Sequence, residues 1–433
     1  MDRRELLKKL ALGAGTLMMP GWSYSAPVSG DYKALVGVFL LGGNDAFNTV
    51  IPMGDMGFSE YQSIRSDMAL ERASLLTPGL TDQWGSPLGL HPRMQEISNL
   101  FSSGDAAVMV NSGTLMAPAT KAQVSGRTVP LPEHLFSHNS QQDAVEAGTA
   151  LTREQTGWGG RMMAMLGAGE GPLSPLYSTA GNRKWLRSSL GSNRLEAGSI
   201  PQLEALQSDE RLQGYRDLVN QDDPSPFARE LRSVMARALD NSTMLSDVLL
   251  NYPAQGAYPG GNNLAKQLKT VESLIQASAE LGQGRQVFLV AMGGFDTHAN
   301  LLSSHDRLMG QFSQAIGAFH DGLRTLGLSD QVTTFTMSDF GRRLTSNGSG
   351  TDHGWGGHQF VFGGAVKGGR YGIWPSLAPD SDDHYSLGRV IPTTAVDQVS
   401  ATLCRWMGVG NSELYELFPN LSAFDAPTLD FMA

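Results

Sequence analysis

Residues 34–48 read ALVGVFLLGGNDAFN: eight residues with no polar side chain, then Gly42-Gly43-Asn44-Asp45. An apolar run without polar alternation fits a strand buried on both faces, as in a parallel sheet. The same pattern recurs twice. Residues 286–298 read QVFLVAMGGFDTH, and 332–342 read VTTFTMSDFGR. Each strand-like run therefore ends in a short turn that delivers an Asp: Asp45, Asp296 and Asp339. In an open parallel sheet, ligands bind beyond the carboxyl ends of the strands. The pattern predicts three carboxylates at one sheet edge, with glycines that let backbones approach closely.

Two further runs, 107–110 and 360–362, read as strands. Between the strands, Leu264, Leu268, Val271 and Ile275 recur at helical spacing, as do Leu308, Phe312, Ile316, Phe319 and Leu323. Val396, Val399, Leu403 and Trp406 mark a last helix near 395–407. Such stripes cover one face of a sheet. The alternation predicts an α/β fold, a three-layer α/β/α sandwich with a largely parallel central sheet. The stretch 183–282 has few strand signals; it reads equally as a helical insertion or as a crossover between strands. No internal repeat is present, and 26–433 reads as a single domain.

Clustered carboxylates repel one another unless a cation or hydrogen-bond donors compensate. Beside the three Asp residues the sequence places His298, and then His353 and His358 in Asp352-His353-Gly354-Trp355-Gly356-Gly357-His358. Asp with His forms a donor set for Zn²⁺, Mn²⁺, Mg²⁺ or Ca²⁺. Any one Asp is equally explained as the N-cap of the next helix; the set together points to a shared site of one or two ions. A separate segment, Glu133-His134-Leu135-Phe136-Ser137-His138-Asn139-Ser140-Gln141-Gln142-Asp143, can supply a nucleophile or a metal ligand, and its serines can equally cap a helix. His320, on a helix stripe, reads as structural. No G-x-S-x-G elbow, G-x-G-x-x-G turn or P-loop occurs, which weighs against serine hydrolase, dehydrogenase and NTPase readings.

With 32 basic and 42 acidic residues the formal charge is −10, and no basic cluster marks a nucleic-acid partner. The single cysteine, Cys404, excludes an intrachain disulfide and a zinc–thiolate site. At the N-terminus, Arg3-Arg4 precedes Leu6, Leu7 and Lys8, then a weakly apolar run over 10–19 that Pro20 ends. Ten residues are far short of the roughly 20 that a spanning helix needs, so no transmembrane anchor is expected. Residues 1–25 resemble a twin-arginine export signal and predict a periplasmic or secreted protein that meets the twin-arginine translocase.

GGNDAFNTVIP, NSGT, HLFSHNSQQ, TGWGGRM, GGFDTHANL, MSDFGRR and DHGWGGHQFVFGG occur in this order over roughly 36–370. In this the chain resembles the bacterial family called "domain of unknown function 1501", similar in turn to the alkaline-phosphatase and sulfatase superfamily. The resemblance implies an alkaline-phosphatase-like fold with metal ligands at strand ends. It places Asp45, Asp296, His298, Asp339 and His353 or His358 as metal ligands, and Ser137 where a nucleophile stands. Phe340 replaces a metal-ligating His of the superfamily, and the Asp296–His298 spacing is shorter than in several relatives. The sulfatase-type maturation motif is absent.

Two functions are expected from this. The first is a metal-dependent hydrolase of phosphate or sulfate esters, of small molecules or glycans, with Arg161 or Arg342 neutralising substrate oxygens. The second is a non-catalytic periplasmic or envelope binding or assembly protein on the same scaffold. Members of the family often occur beside another uncharacterised exported family, which fits a paired role.

Overall fold

The computed structural model describes residues 31–148, 154–169, 171, 173–197, 208–221 and 225–433. The expected export signal lies outside them. Four expected strands form at Lys33–Leu40, Ala106–Gly113, Arg285–Met292 and Val332–Ser338, and the fifth at Gly357–Phe362. They join a nine-stranded sheet in which Lys33–Leu40 is central, with Arg285–Met292 and Val332–Ser338 parallel on its two sides. The Gly357–Phe362 strand is antiparallel to both of its neighbours, Val332–Ser338 and Ala106–Gly113. The sheet is therefore mixed, though largely parallel. Strands Leu176–Ser178 and Asn193–Arg194 extend one side; Gly369–Tyr371 and Thr394–Ala395 pair with Ala106–Gly113 on the other.

Alternating side chains of each strand bury on opposite faces. Val36, Val38, Phe288, Val290, Val108 and Phe360 share one core with the helices Gln95–Ser103, Asn263–Gln276 and Leu301–Thr325. Leu35, Phe39, Val287, Leu289, Phe335 and Met337 share the other with Trp158–Met165, Val396–Met407 and Asn411–Leu417. Helices thus cover both faces of the sheet, giving the three layers that the apolar runs predict. Leu308, Phe312, Ile316, Phe319 and Leu323 are all buried, as their spacing requires. His320 is buried and bonded to Thr334 Oγ1 at 3.2 Å. Among the described residues, 183–282 connects the edge strands to Arg285–Met292. Its helix Asn263–Gln276 packs on the sheet, while Asp209–Val219 pairs with Pro226–Asn251. A small antiparallel sheet, Val50–Pro52 with Pro87–Leu90 and Leu76–Thr81, follows the first strand. No helix among the described residues is long and apolar enough to cross a membrane.

Strand register sets the site. Leu40 pairs with Met292 on one side and with Ser338 on the other, so three strands end level and their turns emerge together. Gly42 has φ of +116°, and a Cβ there would lie 2.3 Å from the backbone nitrogen of Asp296. Only glycine allows the first turn to press against the second.

Candidate metal centre

Asp296 is the hub of the edge. Its Oδ2 lies 3.5 Å from His138 Nε2; its Oδ1 lies 3.0 Å from His298 Nε2 and 3.3 Å from His353 Nε2. His138, Asp296 and His353 each direct one donor atom into a group within 4.8 Å of one another. His298 adds a fourth donor beside it, with its Nε2 3.0 Å from His353 Nε2. His353 reaches this position because residues 342 and 353 form an antiparallel bridge that folds the 343–352 loop back onto the edge.

The far side of each ring is committed. His138 Nδ1 donates to Asp339 Oδ2 at 2.6 Å, His298 Nδ1 to Asp352 Oδ1 at 3.1 Å, and His353 Nδ1 to the Phe136 carbonyl at 2.9 Å. A carbonyl or carboxylate only accepts, so each Nδ1 carries a proton, and a ring that carries no second proton turns a bare Nε2 lone pair towards Asp296. Three lone pairs facing one carboxylate repel unless a cation sits among them or the rings protonate. Burial, with the charges of His138 and Arg342, holds His353 below the ordinary imidazole value, which disfavours protonation there. Donor spacings of 3.0–3.5 Å match the roughly 3.3 Å separation expected for ligands bonded at about 2.1 Å to one small ion. Outward bonds from Nδ1 to oxygen are the usual support of metal-binding histidines. The donor set fits a divalent cation.

Charge around the hub is balanced by Arg342. Its side chain is fully buried, with Nη1 and Nη2 donating to Asp296 Oδ1 at 3.2 and 3.0 Å, Nη1 to the Gly42 carbonyl and Nε to Thr351 Oγ1. Burial pushes the Asp296 carboxyl up, but Arg342, His298 and His138 outweigh it and hold it below the usual carboxylate range. Asp352 is lowered chiefly by its hydrogen bond from Asn347, and Arg343 pairs with it. Phe340 packs against two rings, with centroids 4.9 Å from His138 and 4.5 Å from His353.

Of the residues expected at the site, Asp296, His298, Asp339, His353 and Arg342 meet here, but two take other places than expected. Asp339 is fully buried: Oδ1 accepts Gly42 N–H, and Oδ2 accepts both His138 and the Gln142 amide. Its carboxylate is taken up by these donors and lies behind His138, outside the group formed with Asp296. Arg342 is spent on Asp296 and the turns, not turned to a substrate.

Three residues lie apart. Asp45 is sealed in an ion pair with Arg65, both side chains fully buried, and it does not cap the short helix after it. His358 sits between Phe47 and Trp374, its Nδ1 accepting from Asn111 N–H, and burial lowers its pKa to about 4. Arg161 donates to the carbonyls of Thr156, Ala147 and Leu417, a clamp on the local backbone. Ser137 stands at the N-cap of the helix His138–Ala147 without a side-chain cap bond. The residue that sequence reasoning passed over as a named ligand is His138. Its signal was position: it opens the helix after the 133–137 loop, whereas His134 is exposed.

No curated protein matches the sequence. Distant likenesses among solved structures include the lipoteichoic acid synthase LtaP from Listeria monocytogenes, at 8% identity, TM-score 0.35, covering 90% of this chain and 75% of that one. The PsFucS1 sulfatase from Pseudoalteromonas sp. is 10% identical, with TM-score 0.37 and coverages of 94% and 71%. A protein in the alkaline phosphatase superfamily from Vibrio parahaemolyticus is 11% identical, with TM-score 0.36 and coverages of 94% and 76%. The sequence itself matches one family over residues 32–419, nearly its whole described length. The chain belongs to the family described as "Protein of unknown function (DUF1501)".

Proposed function

We propose that this protein is an exported, metal-dependent hydrolase of phosphate or sulfate esters, carried to the periplasm by the twin-arginine signal at residues 1–25. The observation that carries the metal reading is the convergence of His138, His298 and His353 on Asp296, each ring turning its Nε2 inward and its Nδ1 out to an oxygen acceptor. His138, Asp296 and His353 would hold the ion, with His298 beside them, and a divalent ion there would act as a Lewis acid on an ester oxygen. Arg342 fixes the Asp296 carboxylate and offsets its charge. Asp339, Asp352 and the Phe136 carbonyl hold the three rings in one tautomer. Ser137 adjoins His138 and its hydroxyl does not cap the helix; this reading puts it forward as the nucleophile. The ester class rests on the motif resemblance, since Arg161 and Arg342 are engaged with protein groups.

The test is turnover of p-nitrophenyl phosphate and p-nitrophenyl sulfate by chelator-stripped protein resupplied with Zn²⁺, Mn²⁺, Mg²⁺ or Ca²⁺. Metal-dependent hydrolysis, lost in His353→Ala, is expected. One observation favours the second reading, a non-catalytic envelope protein. Arg342 and Arg65 already neutralise Asp296 and Asp45, so the edge can stand without catalysing anything. Metal uptake with no turnover of either ester would favour that reading.

A further inference from the structure

The glutamine pair in the 133–143 segment has no part in the reading above, yet one of the two reaches the centre. His138 and Gln142 are four residues apart on the helix His138–Ala147 and so lie on one face. Gln142 Nε2 donates at 2.8 Å to Asp339 Oδ2, the oxygen that also accepts His138 Nδ1. Left to itself, an amide can turn end for end. Here Arg183 Nη2 donates to Gln142 Oε1 at 3.2 Å, and a guanidinium has no acceptor, so the NH₂ end must face Asp339. Arg183 is held in turn by Glu146, one further turn along the same helix; its Nε donates to Glu146 Oε1 at 2.7 Å. Glu146 Oε2 accepts the Trp185 backbone N–H at 3.0 Å. Every bond in this chain has one permitted direction.

We propose that Gln142, set by Arg183, is a positioning residue for the metal centre. By occupying Asp339 Oδ2 alongside His138, it stops the carboxylate from swinging away and keeps His138 in the tautomer that leaves Nε2 open towards Asp296. This inference rests on the metal reading of the site. Partners of this kind, bonded behind a ligand, are commonly worth about 10–100-fold in metal affinity.

The experiment compares full-length wild type with Gln142→Leu by Zn²⁺ affinity in chelator competition and by the visible spectrum of the Co²⁺-loaded protein. The expected result is Zn²⁺ binding weakened about 10–100-fold and an altered Co²⁺ spectrum, with the melting temperature in chelator nearly unchanged. A merely structural role would lower the melting temperature and leave the spectrum alone. Arg183→Lys keeps a positive charge opposite Glu146 but loses the fork that orients Gln142. It should weaken Zn²⁺ binding several-fold, and it decides the matter if Gln142→Leu does not fold. Wild-type affinity and spectrum in these variants would overturn the role of Gln142 and leave the metal reading standing. Wild type that takes up neither ion would overturn both.

Discussion

Asp45, on the turn after the first strand, is closed in an ion pair with Arg65, and neither side chain reaches solvent. Arg65 also donates to the carbonyls of Arg343 and Leu344, so the pair ties the first turn to the loop that carries Asp352 and His353. Removing one partner of a buried pair leaves an uncompensated charge, at a cost of about 3–5 kcal/mol. Asp45→Ala should therefore lower the urea midpoint strongly. At temperatures where the variant is folded, Zn²⁺ should still bind with near wild-type stoichiometry. Loss of metal with unchanged stability would reverse this assignment and make Asp45 a ligand.

Phe340 gives a related prediction. Its ring lies against His138 and His353, so Phe340→His adds a third imidazole beside theirs. The other side chains a second ion would draw on, Asp45 and His358, are held by Arg65 and by the Phe47–Trp374 cage. Metal stoichiometry in Phe340→His should equal that of wild type by elemental analysis. One additional equivalent per chain would show that the second place can open.

Gly42 and Gly293 occupy corresponding turns yet should respond differently to a methyl group. A Cβ on Gly42 meets the Asp296 backbone, and its φ of +116° is unfavourable for any L-residue; a Cβ on Gly293 meets nothing within 4 Å. Gly42→Ala should destabilise on the order of 3 kcal/mol, while Gly293→Ala stays within roughly 1 kcal/mol. Urea unfolding of the two variants checks the difference, and equal effects would contradict the close approach of the two turns.

Asp397, far from the Asp296 group in sequence and in its contacts, sets a pH dependence. Burial raises its carboxyl from 3.8 to about 7, against weaker lowering by Asn420 and Arg161. The folded chain then binds more protons than the unfolded chain between about pH 4 and 7, so this group's contribution to stability falls as pH rises through that window. Asp397→Asn should remove the slope. It should raise stability at pH 8 by up to about 4 kcal/mol and change little at pH 4. Melting curves at the two pH values test it, and a variant destabilised equally at both would contradict the raised carboxyl.

Much of this architecture is legible in the chain because burial on both faces leaves an unbroken apolar run. The 34–41, 286–291 and 332–337 runs each match a strand to within a few residues. The shorter 360–362 run is a weaker strand signal and says nothing of direction, since an apolar run reports burial and not polarity. The Asp residues were legible as a set at one edge because level strand ends bring their turns together. The role of each carboxylate there was not. Asp45, Asp296 and Asp339 share a sequence context, yet one meets Arg65, one meets three rings and Arg342, and one meets backbone and amide donors. Apart from His298, two positions from Asp296, those partners lie 20 to 297 positions away, and no local pattern announces them. His138 was obscured for the same reason: its two carboxylate partners lie more than 150 residues further along the chain.

The measurement that bears most directly on the centre is a calorimetric titration of chelator-stripped, full-length protein with Zn²⁺, run beside His353→Ala. Convergence of three Nε2 atoms on Asp296 predicts saturable uptake of one Zn²⁺ per chain, weakened at least about 100-fold when the His353 ring is removed. Bound metal should stabilise the fold by about 2.7 kcal/mol at a hundredfold excess over Kd. Absence of saturable heat in the wild type, or an unchanged isotherm in His353→Ala, would contradict the metal centre.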